Sequence, residues 1–331
     1  MIHTDEYRDF LKSPAFLEPL GIAPGTGLDF QTLGQGEYNC NFSFEHPDGR
    51  RLVLRINRGS QMHLQDQIGY EFKALKALEA SRRTPGALAC YSEKSALVME
   101  HLPGRPLQYE TDLEIAAGIF ADIHALPPAP GLIEPENPLE TIVDECRRMA
   151  ARYYEWGQAD PEVVRLLKTL EAEISARDLT APVGVHRCMV NTEVNSGNFL
   201  INPGGRSYLI DWEKPLISEP AQDLGHFLVP TTTFWKTDVI LKPEDIRHFV
   251  RCYEKAVAGR FETESLQARL PLYFTVTCLR GVTWCAMACR EYSEPGRAIA
   301  NADTFRKIQE YLKPDFLENI LQNYVRKDFL A

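Results

Sequence analysis

The stretch that decides the fold reads Asn191-Thr192-Glu193-Val194-Asn195-Ser196-Gly197-Asn198-Phe199-Leu200-Ile201 and then, after a turn, Tyr208-Leu209-Ile210-Asp211-Trp212-Glu213. The turn contains Pro203-Gly204-Gly205, and an apolar run flanks it on each side, so the pattern predicts a β-hairpin. Asn198 stands before the first strand and Asp211 after the second. Carbonyl and carboxylate oxygens placed in this way suit a hard cation held against a phosphate.

Three polar residues around this hairpin have the spacing of the catalytic loop in protein-kinase-like enzymes. In that chemistry the loop Asn and the acid after the next strand bind the metal ions. An acid five residues before the Asn orients the nucleophilic hydroxyl. Those positions hold Asn198, Asp211 and Glu193. We therefore predict that Asn198 and Asp211 bind Mg²⁺ and that Glu193 orients a hydroxyl group.

The same stretch resembles the aminoglycoside phosphotransferase and choline kinase superfamily of small-molecule kinases. The family pattern is His-Gly-Asp, four further residues, Asn, and later Ile-Asp-Trp/Phe-Glu. Asn198, Asp211 and Glu213 match this pattern in type and spacing. Asn191-Thr192-Glu193 departs from it, because the family has His-Gly-Asp there.

The resemblance runs from Leu28 to Leu228 and implies a bilobal α+β fold of the protein-kinase type. It implies a nucleotide-binding lobe of antiparallel sheet plus helix at residues 1–100, a hinge at 101–107, and a mostly helical lobe at 108–331. It also implies ATP as phosphoryl donor and Mg²⁺ as cofactor. The implied acceptor is a hydroxyl group of a small molecule of the amino alcohol, aminoglycoside or sugar type.

Candidate nucleotide contacts precede the implied hinge. Gly34 and Gly36 can take positive φ and let backbone N–H groups approach a phosphate, although a plain hairpin turn has the same composition. Arg55 lies between apolar residues of a predicted strand, where the resemblance implies a cation for the α/β-phosphates; a solvent-facing Arg on an edge strand is the alternative. Glu71 lies in a helix predicted over residues 65–78 by apolar spacing. The resemblance implies that it pairs with Arg55, and simple solvation is the alternative.

The segment Met99-Glu100-His101-Leu102-Pro103-Gly104-Arg105-Pro106-Leu107 predicts a strand that ends abruptly and feeds a connection between lobes. It resembles the family's Met-Glu-x-Leu-x-Gly-x-x-Leu hinge. The resemblance implies that backbone groups of Glu100 and Leu102 hydrogen-bond the adenine.

Other residues are expected to support the site. Asn191 is expected to hydrogen-bond in place of the triplet's His, with His186 as an alternative. Glu213 completes the motif beside Asp211. Asp223, an acid early in a helix, can accept backbone N–H bonds, and the resemblance implies that it braces the catalytic loop.

Three predictions concern the implied helical lobe. A helix over Thr111–Leu126 is expected to begin with a capping box at Thr111-Asp112-Leu113-Glu114, and its His124 to be packed and hydrogen-bonded. The segment Val229–Lys236 is predicted to be a loop beside the acceptor. An aromatic cluster is predicted to pack in the core, with a cage for a quaternary amine as the alternative; its members are Tyr153, Tyr154 and Trp156.

Composition restricts the class of protein further. The 331 residues carry a net charge of −10, and residues 106–331 contain 33 acidic against 24 basic side chains, which argues against nucleic acid as a partner. No signal peptide is expected in residues 1–20, and no apolar run is expected to reach the roughly 18 residues of a spanning helix. The eight cysteines have no Cys-x-x-Cys pair and are predicted to be free thiols, with core packing preferred over a metal site for Cys278, Cys285 and Cys289. A cytoplasmic protein without a membrane partner is predicted, and the oligomeric state stays open.

The glutamate at position 193 decides how the site is interpreted. Compared with Asp, it adds one methylene, a reach of about 1.5 Å, and a misplacement of roughly 1 Å can cost about 10²-fold in rate. An active kinase is favoured, because both metal ligands persist. The alternatives are a nucleotide-binding pseudokinase with a regulatory or scaffold role, and an enzyme that transfers a nucleotidyl group.

Overall fold

A computed structural model describes residues 7–36, 38–60, 62–294 and 302–327. Its strands are β1 (Gln31–Gln35), β2 (Asn39–Glu45), β3 (Arg51–Asn57), β4 (Ala87–Tyr91), β5 (Ala96–Glu100), β6 (Cys188–Val190), β7 (Phe199–Leu200), β8 (Tyr208–Leu209) and β9 (Leu216–Ser218). Its α-helices are α1 (Arg8–Leu11), α2 (Pro14–Leu17), α3 (Gln67–Leu78), α4 (Leu113–His124), α5 (Pro138–Tyr154), α6 (Pro161–Ser175), α7 (Pro220–Leu228), α8 (Pro230–Lys236), α9 (Pro243–Val257), α10 (Leu266–Ser293), α11 (Ala302–Tyr311) and α12 (Pro314–Ile320). The chain is therefore α+β, with its long sheet first and most of its helices afterwards.

The first five strands form one antiparallel sheet in the order β1-β2-β3-β5-β4. Strand β3 is central, and its Arg55 lies opposite Asn41 on β2 and Leu97 on β5. The alternative that Arg55 is a solvent-facing residue of an edge strand is therefore wrong.

Two clusters of buried apolar side chains cover the two faces of this sheet. One cluster joins the sheet to the N-terminal helices and includes Phe16, Phe44 and Leu54. The other contains Leu97 and Met99 and continues through α3 into the helical lobe. Because this second core contains residues of both regions, apolar packing joins the sheet to the helical lobe.

The predicted hairpin forms as β7 and β8, which pair antiparallel with Phe199 opposite Leu209. At its open end the backbone N–H of Ile210 donates to the carbonyl of Asn198 at 2.8 Å. Asn198 and Asp211 therefore stand next to each other where the hairpin opens.

Helix α10 is the central helix of the helical lobe, with 28 residues. Contrary to the expectation from sequence, it is long and apolar enough to cross a membrane by length and composition alone. However, 67% of its apolar window is buried inside the fold, as in a core helix. All eight cysteines are free. On this helix Cys278 and Cys285 are buried and Cys289 is half-buried against the same core, so the prediction that they pack in the core is confirmed.

The segment Val229–Lys236, predicted to be a loop, is instead mostly helix α8. Pro230 occupies its first turn, where a missing N–H costs nothing. Its three threonines are buried, and the Thr231 hydroxyl donates to the carbonyl of Thr277 on α10 at 3.4 Å. Threonine is a weak helix former, and packing against α10 outweighs that preference.

The capping box predicted at Thr111-Asp112-Leu113-Glu114 does not form. Helix α4 begins at Leu113 with Asp112 as its N-cap, and the Asp112 side chain makes no capping bond. Its carboxylate accepts from both terminal nitrogens of Arg105, at 2.6 and 2.9 Å, and from the backbone N–H of Gln108 at 2.8 Å. A bidentate bond to a guanidinium is stronger than a neutral capping bond, so the ion pair prevails.

Candidate active site

Arg55 joins three elements at the cleft between sheet and helices. Its Nη1 donates to Glu71 Oε1 on α3 at 2.6 Å and to Asp211 Oδ1 at 3.0 Å, and its Nε donates to Asn41 Oδ1 at 3.0 Å. Burial opposes the charge of Arg55, but the carboxylates of Glu71 and Asp211 outweigh it and raise the pKa of Arg55. The side chains of Arg55, Glu71 and Asp211, far apart in sequence, thus form one charged cluster.

Glu71 is fully buried, so it is not the solvated surface residue of the alternative interpretation. Burial raises the pKa of its carboxyl group, and the charge of Arg55 opposes that shift. Among the described residues, nothing hydrogen-bonds to its buried Oε2. Glu71 therefore holds Arg55 through Oε1 and keeps a second acceptor facing the interior.

The loop that carries Glu193 is braced from below by Asp223 on α7. The two oxygens of this buried carboxylate accept the backbone N–H groups of Asn191, at 2.8 Å, and Thr192, at 2.9 Å. Thr192 has φ +69°, a left-handed conformation that such bonds help to fix. Behind Asp223, His124 is fully buried, with its Nδ1 2.9 Å from the hydroxyl of Tyr253, so the prediction that His124 is packed and hydrogen-bonded is confirmed.

Asn191 connects the loop to the end of the hairpin. Its Nδ2 donates to the carbonyl of Asp211 at 3.0 Å, and its Oδ1 accepts the N–H of Glu193 at 3.1 Å. His186, the alternative for this role, lies elsewhere: its Nε2 is 2.8 Å from the carbonyl of His124, and its ring stacks on Phe261 with centroids 3.9 Å apart. Asn191 therefore makes the contact between the loop and Asp211.

Glu193 is held at both its backbone and its carboxylate. The Nδ2 of Asn198 donates to the carbonyl of Glu193 at 2.7 Å, which leaves Asn198 Oδ1 as the atom able to ligate a cation. The Glu193 carboxylate forms an ion pair with the ammonium of Lys214. The side chain of Glu193, which is one methylene longer than that of Asp, thus reaches Lys214.

Glu193, Asp211 and Glu213 form a group of carboxylates. One oxygen atom from each lies within 4.8 Å of the oxygen atoms from the other two. Asp211 has φ +65°, which is a left-handed backbone conformation. The chain therefore turns at Asp211, two residues before Glu213. Burial, then the charges of Asp211 and Glu193, raise the pKa of Glu213 to about 7. Carboxylate oxygens crowded in this way are ligands of the kind that Mg²⁺ prefers, so the residues present fit the predicted metal and add Glu213 and Glu193 to the candidate donors.

Glu213 and its neighbours also contact the sheet and α3. The Nδ2 of Asn39 donates to the Glu213 carboxylate, and the Nε2 of Gln67 donates to the carbonyl of Glu213 at 2.6 Å. The hydroxyl of Tyr70 donates to the carbonyl of Pro215 at 2.6 Å. Helix α3 is therefore tied directly to the segment that follows Asp211.

The glycines before β2 do not have the conformation that the sequence suggested. Gly34 lies in β1 opposite Asn41, next to an irregularity in the pairing, and a Cβ there would meet nothing within 4 Å. The N–H of Gly36 donates to the carbonyl of Asn39 at 2.8 Å. Neither glycine has positive φ. Glu37, between Gly36 and β2, lies outside the described residues.

Glu100 and Leu102 follow β5 where the chain leaves the sheet. The N–H of Glu100 donates to the carbonyl of Gly86 at 2.9 Å, and its exposed carboxylate accepts the N–H of Gly86 at 3.0 Å. Leu102 is half-buried. The side chain of Glu100 is thus engaged with the sheet, and any contact of these residues with adenine stays a prediction.

Three charged side chains near Glu193 were not predicted from the sequence. Lys214 pairs with Glu193, the charge of Arg280 on α10 interacts with that of Glu193, and Glu145 on α5 pairs with Arg280. Lys214 directly follows the Asp-Trp-Glu motif and could have been found there. The others come from helices whose arrangement no local pattern specifies.

Residues 29–256 match the APH family, described as the phosphotransferase enzyme family. No curated protein sequence matches the chain.

Solved structures show the same fold across nearly the whole chain. A protein from Ralstonia eutropha JMP134 assigned to the aminoglycoside phosphotransferases has a TM-score of 0.69 at 14% identity, covering 98% of each chain. The Plasmodium vivax ethanolamine kinase has a TM-score of 0.65 at 14% identity, covering 96% of this chain and 91% of its own. The choline kinase of Streptococcus pneumoniae has a TM-score of 0.59 at 16% identity, covering 96% and 97%.

The fold is therefore that of the protein-kinase-like phosphotransferases, with a sheet-based lobe and a helical lobe, and the candidate site lies between them. This chain belongs to the phosphotransferase enzyme family.

Proposed function

We propose that this chain is a cytoplasmic small-molecule kinase that transfers the γ-phosphate of Mg·ATP to a hydroxyl group of an amino alcohol, aminoglycoside or sugar type of acceptor. Residues 1–100 would bind the nucleotide, residues 101–107 would form the hinge, and residues 108–331 would carry the catalytic loop and acceptor pocket. The observation that carries the proposal is the contact of Arg55 with both Glu71 and Asp211, beside Glu193.

The chain's own residues divide the work by position and charge. Arg55, held by Glu71, presents a cation for phosphate oxygens, and Asn198 and Asp211, with Glu213 beside them, would hold Mg²⁺. Bound Mg²⁺ would supply charge compensation for the phosphate oxygens. Phosphoryl transfer demands mainly such positioning and compensation, because its transition state is loose.

Glu193 is the candidate catalytic base. Its carboxylate would accept a hydrogen bond from the acceptor hydroxyl and take up the proton as the new O–P bond forms. Asn191 and Asp223 fix the loop that carries it, and Lys214 restrains the carboxylate. In this proposal Asn191, Asp223 and Lys214 are positioning residues.

Substitution of the two acids tests the proposal in a phosphorylation screen of amines, amino alcohols and sugars with a mass readout. Asp211→Asn is expected to abolish turnover, because it removes the carboxylate that would hold the metal. Glu193→Gln is expected to lower kcat by roughly 10²- to 10⁴-fold. Asp144→Asn, an exposed change on α5, is the matched control and should leave turnover unchanged.

The screen also separates kinase from pseudokinase. A pseudokinase would show a rise in melting temperature with Mg·ATP, no phosphorylated product, and the same behaviour in Glu193→Gln as in wild type. That combination would contradict the proposed activity.

A further inference from the structure

A second set of charged side chains lies beside Glu193, and the proposed transfer leaves most of it unused. We call Glu145, Lys214 and Arg280 the acceptor-side cluster. Lys214 pairs with Glu193, and Arg280 on α10 donates from Nε to Glu145 Oε2 on α5 at 3.0 Å. Helix α10, which carries Arg280, packs on α7, whose Asp223 holds the loop of Glu193. Against burial, the charges of Glu145 and then of Glu193 raise the pKa of Arg280. The cluster therefore adjoins the candidate catalytic base.

Arg280 differs from an arginine with a purely structural role. Arg269 is such an arginine: its side chain is 5% exposed, Nε and Nη2 donate to Glu219, and Nη1 donates to the carbonyl of Thr180. The side chain of Arg280 is 26% exposed, and only Nε and Nη2 donate, both to Glu145. Among the described residues its Nη1 makes no hydrogen bond. One donor of Arg280 is therefore available to a ligand.

Cations of the chain already compensate the carboxylates of the cluster. Burial would raise the pKa of the Glu145 carboxyl group, but the charge and hydrogen bond of Arg280, followed by the charges of Lys214 and the exposed Arg148, lower it. Burial, followed by the charges of Arg280 and Lys214, lowers the pKa of nearby His226 to about 3. Glu145 and Glu193 are thus each paired with a cation of the chain itself, Arg280 and Lys214, so neither carboxylate offers an unpaired charge to a cationic ligand.

Tyr153, Tyr154 and Trp156, the alternative cage for a quaternary amine, already make contacts within the protein. The Tyr153 hydroxyl accepts the N–H of Asp160 at 3.2 Å, and its ring packs on Trp156 with centroids 5.8 Å apart. The ammonium of Lys168 lies over the ring of Tyr154, 5.2 Å from its centroid. These aromatic faces pack internally or already hold a cation from the chain itself.

We infer that the acceptor carries an oxyanion, a carboxylate or a phosphate, and that Arg280 is the residue that selects it. This inference rests on the proposed function and narrows its acceptor to a hydroxylated acid or an acid-bearing sugar. The Nη1 of Arg280 would donate a charge-assisted hydrogen bond to an oxygen of the carboxylate or phosphate, and such bonds are stronger than neutral ones. Bound there, the acceptor presents its hydroxyl to Glu193 while Lys214 keeps that carboxylate in place.

Turnover with a charged panel tests the choice of acceptor. D-Glycerate and D-gluconate represent carboxylates, glycerol 3-phosphate represents phosphates, and choline, ethanolamine and D-glucose complete the panel, each with Mg·ATP. We expect an anionic compound to be phosphorylated, and the two anionic arms show which oxyanion is preferred. Turnover of choline or ethanolamine with no anionic compound accepted would overturn the inference.

Variants of Arg280 show whether it selects the acceptor. Arg280→Met should raise the KM for the anionic acceptor by ~10- to 100-fold with a smaller change in kcat, and Arg280→Lys should restore part of that loss. Arg152→Met, which breaks another α5–α10 ion pair with Glu291, is the matched control and should leave KM unchanged. An unchanged KM in Arg280→Met would overturn the inference.

Binding of sulfate separates this inference from the proposed function. Sulfate is titrated by calorimetry into protein saturated with Mg²⁺ and a non-hydrolysable ATP analogue, at constant ionic strength. Arg280→Met should lose sulfate binding, whereas Glu145→Gln should tighten it, because the negative charge that competes with sulfate for Arg280 is then removed. No sulfate binding in wild type, or no tightening in Glu145→Gln, would overturn the inference. Sulfate binding with these two responses but no turnover of any compound would uphold the oxyanion site and overturn the kinase proposal.

Discussion

The side chain of Glu193 illustrates how one substituted residue can change its surroundings. An Asp in this loop would be shorter by one methylene, and the ammonium of Lys214 meets the longer carboxylate instead. Asn191 and Asn198 hold the backbone of the same residue from two directions. The contact with Lys214 and these two bonds together define where the Glu193 carboxylate lies.

Glu193→Asp should therefore lower activity, even though Asp is the residue of the family pattern. The shorter carboxylate loses contact with Lys214 and is displaced by about 1.5 Å, and displacement of this size costs about 10²-fold in rate. Steady-state kinetics with the acceptor found in the screen measure the effect. An equal or higher kcat in Glu193→Asp would contradict the view that Lys214 sets the position of the base.

The site residues that could be predicted from the sequence are those identified by the order of the elements along the chain. Arg55, Glu71 and Asp211 follow one another along an ordered series of strand, helix and hairpin, and the structure brings them together as that order implies. Arg280 and Glu145 lie 135 positions apart on two helices. Their contact depends on helix packing, for which the sequence offers only amphipathic faces.

At the scale of elements, the crossing of α8 and α10 depends on one glycine. A Cβ on Gly281 would lie 2.6 Å from the Cβ of Thr231, so only glycine allows this approach. This requirement also explains why α8 escaped prediction: its threonines form a helix because they pack on α10, and a sequence window contains no information on that partner.

Gly281→Ala should destabilise the protein by roughly 1–3 kcal/mol, because the added methyl overpacks the crossing. Gly118→Ala on α4 is the matched control. A Cβ there meets nothing within 4 Å, so alanine should stabilise the helix by roughly 0.5–1 kcal/mol. Urea denaturation of both variants measures the two effects. A Gly281→Ala protein as stable as wild type would show that α8 can shift away at little cost.

At the scale of the whole molecule, α3 makes contacts in both lobes. It contributes Glu71 to the sheet side of the cleft, and its Gln67 and Tyr70 hold carbonyls beyond Asp211. The Tyr70 hydroxyl also accepts the N–H of Ile133 at 3.0 Å. The contact between lobes thus includes buried hydrogen bonds in addition to apolar packing.

Tyr70→Phe should lower the free energy of unfolding by roughly 1–3 kcal/mol, because it leaves the Pro215 carbonyl and the Ile133 N–H without their partner. Tyr154→Phe is the matched control, since the buried Tyr154 hydroxyl has no partner among the described residues and its removal should be neutral or stabilising. Thermal unfolding of the two variants provides the comparison. If Tyr70→Phe and Tyr154→Phe changed the free energy of unfolding by the same amount, the hydrogen bonds of the Tyr70 hydroxyl would contribute nothing to joining the lobes.

The left-handed backbone at Asp211 has a consequence for how this protein can change over time. A residue other than glycine in that conformation costs roughly 1–2 kcal/mol, and the surrounding contacts have to maintain it. Glycine at this position would relieve that cost but would also remove the carboxylate that pairs with the buried Arg55. The chain therefore places an acid where the backbone conformation alone would suit glycine better.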